Sequence, residues 1–306
     1  MKIIYLKNKQ IDVIKWDKCI SNAYNGNIYG YSWFLNIVSP VWDALIFDDY
    51  RAVLPLPVEK KFGIPTLYHP ILSGQLGIFS IEKIDKRLIN LFLERIPHKF
   101  KKMLLRMNKF LNVETNDFHV RDQNTYVIDL IRNTNGIYSG YSAGLRQIID
   151  RTLEGNMSVI NALRPQEVIK FLYDNDVEVN KPLKYDHVNP LRRLLTCIVS
   201  NHLGNVYAVY SGVNNICALG IFLYSHNKIS VPIIAVNSEG KECNACELLI
   251  HTVIFNNVEK NVTLAYEETK RSYFSEILES FGAEKKKFKE LLKIRIIWPF
   301  NKLISS

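Results

Sequence analysis

The sequence predicts an α/β protein of two domains, and three observations lead there. The second half carries three β-rich runs split by short polar turns, then helix, strand, helix and strand in alternation, a layout built around one sheet. The first half interleaves strand-like runs with amphipathic helices. The chain has 306 residues, which at roughly 150 per domain suggests two. With 47% hydrophobic and 23% charged residues, the apolar surface suffices to offset chain entropy, so a disordered chain is excluded.

In the first half, residues 2–6 (KIIYL) read as an opening strand, and 14–23 and 31–38 carry helical apolar spacing. Residues 43–47 and 52–58 are apolar runs separated by Asp48-Asp49-Tyr50, which predicts a hairpin. Pro55 and Pro57 assign its second run to an edge or irregular strand, because proline donates nothing to a ladder. Residues 81–96 predict an amphipathic helix ended by Pro97, and 101–107 and 125–130 predict strands. The polar stretch Arg132-Asn133-Thr134-Asn135-Gly136 is the expected linker, dividing the chain into domains 1–135 and 136–306.

Beyond it, residues 142–153 predict a helix, 158–162 a short strand, and 165–173 a helix with proline in its first turn, where the missing N–H costs nothing. A helix over 189–202 closes at Gly204. The three strands are 205–210, 216–224 and 228–236; helix 243–255, strand 262–266, helix 272–281 and strand 284–297 follow.

Several function classes find no support. No run approaches the ~18 apolar residues of a membrane helix. The opening MKIIYLKNKQIDVIK has no apolar core or cleavage site, so no secretory signal is expected. Five cysteines are an odd number and predict reduced thiols in the cytoplasm, not a disulfide framework. Cys243 and Cys246 form a CxxC without a second pair at zinc spacing, so no metal is expected. No P-loop, Gly-x-Ser-x-Gly or GxGxxG occurs. The net charge of +9 is spread over both halves and favours anionic partners in general. Lysines at 99, 101, 102, 109 and at 285, 286, 287, 289 lie near Phe100, Phe110 and Phe288, a mixture suited to single-stranded nucleic acid or to a solvated surface with its rings turned inward.

Three segments of the second half carry a resemblance. They are Tyr141 to Arg151 (YSAGLRQIIDR), Leu264 to Thr269 (LAYEET) and Phe281 to Glu284 (FGAE); Pro70 to Phe79 (PILSGQLGIF) adds a fourth in the first half. Together they resemble the GNAT (Gcn5-related N-acetyltransferase) superfamily, in its FemAB-like branch of acyl- and aminoacyl-transferases. The resemblance implies two GNAT-like acyl-CoA N-acyltransferase domains in tandem, built on mixed sheets. It implies transfer of an acyl group from a thioester or ester donor to a small-molecule amine. The alternatives it leaves open are a charged tRNA as donor with a cell-wall precursor as acceptor, and a binding module that kept the fold without the chemistry.

The resemblance also places residues. Acetyl-CoA or another acyl-CoA would meet Gly240, Lys241, Asn244 and Ala245, where GNAT enzymes hold a pyrophosphate on free N–H groups. This stretch departs from the family pattern: Gly240 stands where a basic or amide residue is usual, and Cys243 replaces the middle glycine. Glu267 and Glu268 follow the strand 262–266 at the end where open α/β sheets bind ligands, so they are candidate proton acceptors for an attacking amine, with Tyr273 beside them. Acidic residues at a helix start also complement its dipole, which is the competing account. Lys270 and Arg271 are candidates for holding an anionic substrate, as are Arg146, His69 and Gln75.

Overall fold

In a computed structural model of the chain, residues 2–161, 163–175, 177–178, 185–268 and 273–295 are described. The path opens with β1 (Ile3–Leu6), α1 (Val13–Asn22), α2 (Ser32–Val38), β2 (Trp42–Phe47), β3 (Ala52–Lys61), β4 (Ile64–Leu67), β5 (Phe79–Ser80), α3 (Lys86–Glu94), β6 (Lys102–Arg106) and β7 (His119–Asp129). It continues through α4 (Thr134–Ser139), α5 (Ala143–Glu154), β8 (Ser158–Ile160), α6 (Pro165–Asp174), β9 (Val177–Glu178) and α7 (Val188–Ser200). Then come β10 (Gly204–Tyr210), β11 (Ile216–Ser225), β12 (Lys228–Val236), α8 (Ser238–Glu242), α9 (Ala245–Phe255), β13 (Thr263–Glu268), α10 (Tyr273–Ser280) and β14 (Glu284–Ile294). This is the mixed α/β class the sequence predicts.

Two compact units divide the chain: Asn124–Lys286 form the second, and the residues before Asn124 together with those from Lys287 onward form the first. The change of unit thus falls inside β7 and again inside β14. Residues 132–136, expected as a linker, instead start α4: the Asn133 side chain accepts the Gly136 N–H at 2.8 Å, so the polar composition there reflects a helix cap.

In the first unit the strands follow the order β1-β2-β3-β4-β6-β14, antiparallel except for β4 beside β6. The expected hairpin is present as β2 and β3, joined through Asp48, Asp49 and Tyr50 in left-handed conformations. Opposite β2, β3 pairs with β5 at Ala52 and Val53 and with β4 from Val58, leaving Pro55 and Pro57 in the interval between. Two residues apart, the prolines turn their missing N–H positions to one edge. The predicted helix 81–96 is shorter, because the Asp85 carboxylate accepts the Leu88 N–H and fixes the start of α3. Its face of Ile89, Phe92 and Leu93 packs with Leu54, Phe100 and Met103.

Residues 69–80 of this unit form a nearly fully buried connection. Buried backbone needs polar partners, and asparagines supply them. Asn25 donates to Ile78 O and accepts from Ser80 N, while Asn27 donates to Gln75 O.

In the second unit the order is β7-β13-β12-β11-β10-β8, with β12 and β13 parallel and the remaining neighbours antiparallel. The parallel pairing holds only from Lys228 to Ser230 against Thr263 to Ala265. The edge of β12 is taken up again at Ile234 and Ala235 by β9. Pro232, with no N–H to offer, lies in the gap. One face of the sheet carries Leu264, Tyr266, Tyr126 and Ile128 into a core with α5, α9 and α10. The Phe-Gly-Ala element closes α10 in a left-handed turn, with Gly282 at φ +78 and room for no side chain beside Gly140 O, 2.7 Å from where a Cβ would sit.

Candidate functional site

The alternation of β13 puts Leu264 and Tyr266 in the core and turns Ala265 and Glu267 to the opposite face. Glu267 and Glu268 end this strand; they do not begin α10. The Glu267 carboxylate is almost out of water, its side chain 8% exposed, and its Oε1 accepts from Lys228 Nζ at 3.2 Å. Its Oε2 is buried with no hydrogen-bond partner. Directly across the ladder on β7 stands Thr125, 1% exposed, whose Oγ1 is likewise buried and unpartnered. The next row of this face holds Ser230, Ala265 and Val127, two of them too small to cover their neighbours. Beyond that row β12 no longer pairs with β13. A buried carboxylate with one uncommitted oxygen therefore stands at the C-terminal end of parallel strands, where open sheets take ligands.

On the other face, the stretch expected to hold a pyrophosphate is built differently. The expected helix 243–255 is α9, entered through Asn244 in a left-handed conformation with φ 59, and a short helix the sequence did not announce, α8, precedes it. Gly240 N–H is used by Asn237 Oδ1 at 2.7 Å, Lys241 N–H by Asn237 O at 3.0 Å and Cys243 N–H by Glu239 O at 3.0 Å. A Cβ at Gly240 would lie 2.3 Å from Cys217 O, so this glycine permits α8 to pack on β11. Ala245, the first residue of α9, is fully buried, and its N–H interacts with the Cys243 sulfur.

Glu247 then fills the first turn of α9. It is 7% exposed, its own N–H faces its carboxyl, and burial pushes its pKa up. The Tyr273 hydroxyl lies beside that carboxyl; burial first, and the Glu247 charge second, push the phenol up as well. Lys241 Nζ sits 5.8 Å from the Tyr273 ring centre. The N–H groups of Gly240, Lys241 and Cys243 are spent within the stretch and an acidic side chain occupies the first turn of α9, so these residues do not fit a dianionic pyrophosphate.

The other expected residues lie elsewhere. Arg146, on α5, donates to Tyr141 O at 2.9 Å and Ser139 O at 3.3 Å, tying down the turn before its helix. His69 and Gln75 belong to the buried connection of the first unit, His69 Nε2 meeting Ser73 O at 2.8 Å. Lys270, Arg271 and the Glu268 side chain lie outside the described residues. Lysines 285, 286, 287 and 289 each stand within 4.0 Å of a carboxylate, and Phe100 and Phe288 are buried, whereas Phe110 is exposed. Cys243 and Cys246 are free thiols, and among the described residues no group of three or more His, Cys, Asp or Glu is placed to hold a metal. No described helix is long and apolar enough to cross a membrane.

Thr125, Lys228 and Glu247 escaped the sequence reading. Thr125 and Lys228 stand at the ends of strand runs with no motif around them; only the period of two, once the register is known, sets them beside Glu267. Glu247 had a signal, an acidic residue three positions after an asparagine at a helix start.

A cavity of about 720 Å³ opens at the same end of the second unit, beyond the C-terminus of β12. Asn237 and Glu239, the β10–β11 turn at Asn214 and Asn215, and Glu167 and Lys170 of α6 line it.

No family profile matches the chain, and no curated protein matches it in sequence. Solved structures do match in fold. A structure of FemX superposes with a TM-score of 0.65 at 9% identity, covering 100% of both chains. A tandem GNAT protein from the clavulanic acid biosynthesis pathway gives 0.58 at 9% identity over 97% of this chain and 99% of that one. The L-PGS of Bacillus licheniformis gives 0.57 at 12% identity over 96% and 95%. The chain thus shares its overall fold with FemX and with the tandem GNAT protein, in line with the fold its sequence segments resemble.

Proposed function

We propose that this protein transfers an acyl or aminoacyl group to an amine, with Glu267 as the acceptor of the amine proton. The observation that carries the reading is the uncommitted, buried Oε2 of Glu267 beside the point where β12 and β13 part. An attacking nitrogen forms the new C–N bond at the acyl carbonyl and the bond from that carbon to its carrier oxygen breaks. The nitrogen's surplus proton passes to Glu267, and the departing oxygen ends protonated. Lys228 holds the carboxylate in place through Oε1 and compensates its charge.

The first turn of α9 favours a donor that is not anchored by a pyrophosphate there. An aminoacyl ester, as on a charged tRNA, satisfies that condition.

The test is a donor-discharge assay with aminoacyl-tRNA and, separately, acetyl-coenzyme A, each with a panel of primary amines. Amine-dependent loss of the aminoacyl ester is expected, with acetyl-coenzyme A neither bound nor consumed, and Glu267→Gln slowing transfer by about 10²-fold or more. An unchanged rate in Glu267→Gln would remove the glutamate from its role.

A further inference from the structure

We infer that Thr125 and Glu267 together form the seat of the acceptor's amino group, a binding site for an unsubstituted primary amine. The inference rests on the transfer reading given above and adds to it the ligand group recognised and a second residue that touches it. Two buried oxygens without partners, Thr125 Oγ1 and Glu267 Oε2, belong to residues that face each other across β7 and β13. Side chains directly opposed on an antiparallel ladder lie on the same face, with Cβ atoms roughly 5 Å apart. Buried polar atoms in native proteins are almost always partnered, so two orphans side by side call for one guest that supplies two donors.

A neutral primary amine is such a guest. Its two N–H bonds satisfy Glu267 Oε2 and Thr125 Oγ1, and its lone pair remains free to attack a carbonyl. The charges fit the neutral form. Lys228 Nζ, 3.2 Å from Glu267 Oε1, offsets the carboxylate, so the seat has no net negative charge with which to hold the amine as an unreactive ammonium ion. Ser230 and Ala265 in the adjoining row carry small side chains, and β12 has left the ladder there. A secondary amine would fill only one of the two acceptors, so the pair also selects the degree of substitution.

The probe is glycinamide, titrated at pH 8 against the whole protein and followed by saturation-transfer NMR, with N-methylglycinamide and N-acetylglycinamide as controls. Saturable glycinamide binding is expected, about tenfold weaker in Thr125→Val, retained in Thr125→Ser and lost in Glu267→Gln. N-methylglycinamide should bind several-fold less well and N-acetylglycinamide not at all. The thermal midpoint of Thr125→Val should be equal to or above that of the parent, because the variant removes an unpaired buried hydroxyl. Equal glycinamide affinity in Thr125→Val, equal binding of the acetylated control, no saturable binding, or a lowered midpoint in Thr125→Val would each overturn the inference. If the seat behaves as described and no donor is ever discharged, the transfer reading fails while the amine site stands. Discharge without glycinamide binding gives the reverse.

Discussion

Arg106 on β6 and Glu290 on β14, 184 positions apart in sequence, meet at 3.1 Å with their side chains only 6% and 10% exposed. They are register partners in the antiparallel pairing of the two strands, and Gln123 donates to the second Glu290 oxygen at 3.2 Å. Both oxygens of this enclosed carboxylate are thus engaged.

Removing one member strands the other. Glu290→Ala should destabilise the protein by roughly 3–5 kcal/mol, whereas Arg106→Met combined with Glu290→Leu should recover most of that loss. Urea unfolding of the two variants distinguishes a structural ion pair from one that is merely tolerated.

His251 gives the fold a pH dependence. Buried on α9 against Phe255 and Tyr141, it is pulled down to about 4 by loss of water. The unfolded chain binds this proton near pH 6.5 and the folded chain does not. Stability is therefore full above pH 6.5 and falls as the pH drops toward 4, by about 3 kcal/mol in all. Urea midpoints between pH 7.5 and 4.5 should trace this loss, and His251→Phe should flatten it.

Glu247 runs in the opposite sense. Its pKa is raised by burial, so the protonated form suits the fold and stability declines as pH rises through the folded value. Glu247→Gln should raise the urea midpoint at pH 8 and leave it little changed at pH 4.

Gly240 tests the account of the α8 turn. Gly240→Ala puts a methyl group against Cys217 O and Val236 Cγ2, the latter 2.8 Å away, and should cost about 1–3 kcal/mol without affecting phosphate binding. A specific loss of phosphate-ligand affinity at unchanged stability would contradict the packing role.

The strands and helices of the second unit were legible because Ile216–Ser225 is a continuous apolar run bounded by polar turns and Pro165–Asp174 keeps a helical apolar face. The hairpin turn at residues 48–50 and the glycine after Phe281 were legible for local steric reasons. What the sequence hid is non-local. The polar run at 132–136 looks the same whether it is a linker or a capped helix, and β9 is too short to register. Glu267 could be singled out from its place after a strand. Its partners Thr125 and Lys228 come from other strands, and only the sheet register brings them to it.

The return of β14 to the first unit has a consequence for how the chain is made. The first unit lacks its Glu290-bearing strand until nearly everything else has left the ribosome. The second unit, contiguous in sequence, has all its own strands sooner. Synthesis therefore runs against the numbering: the part encoded first is finished last, and it waits on the nascent chain with the β6 edge unpaired. A chain cut short anywhere before Lys287 loses the first unit's last strand and leaves the β6 edge exposed to pairing with other chains.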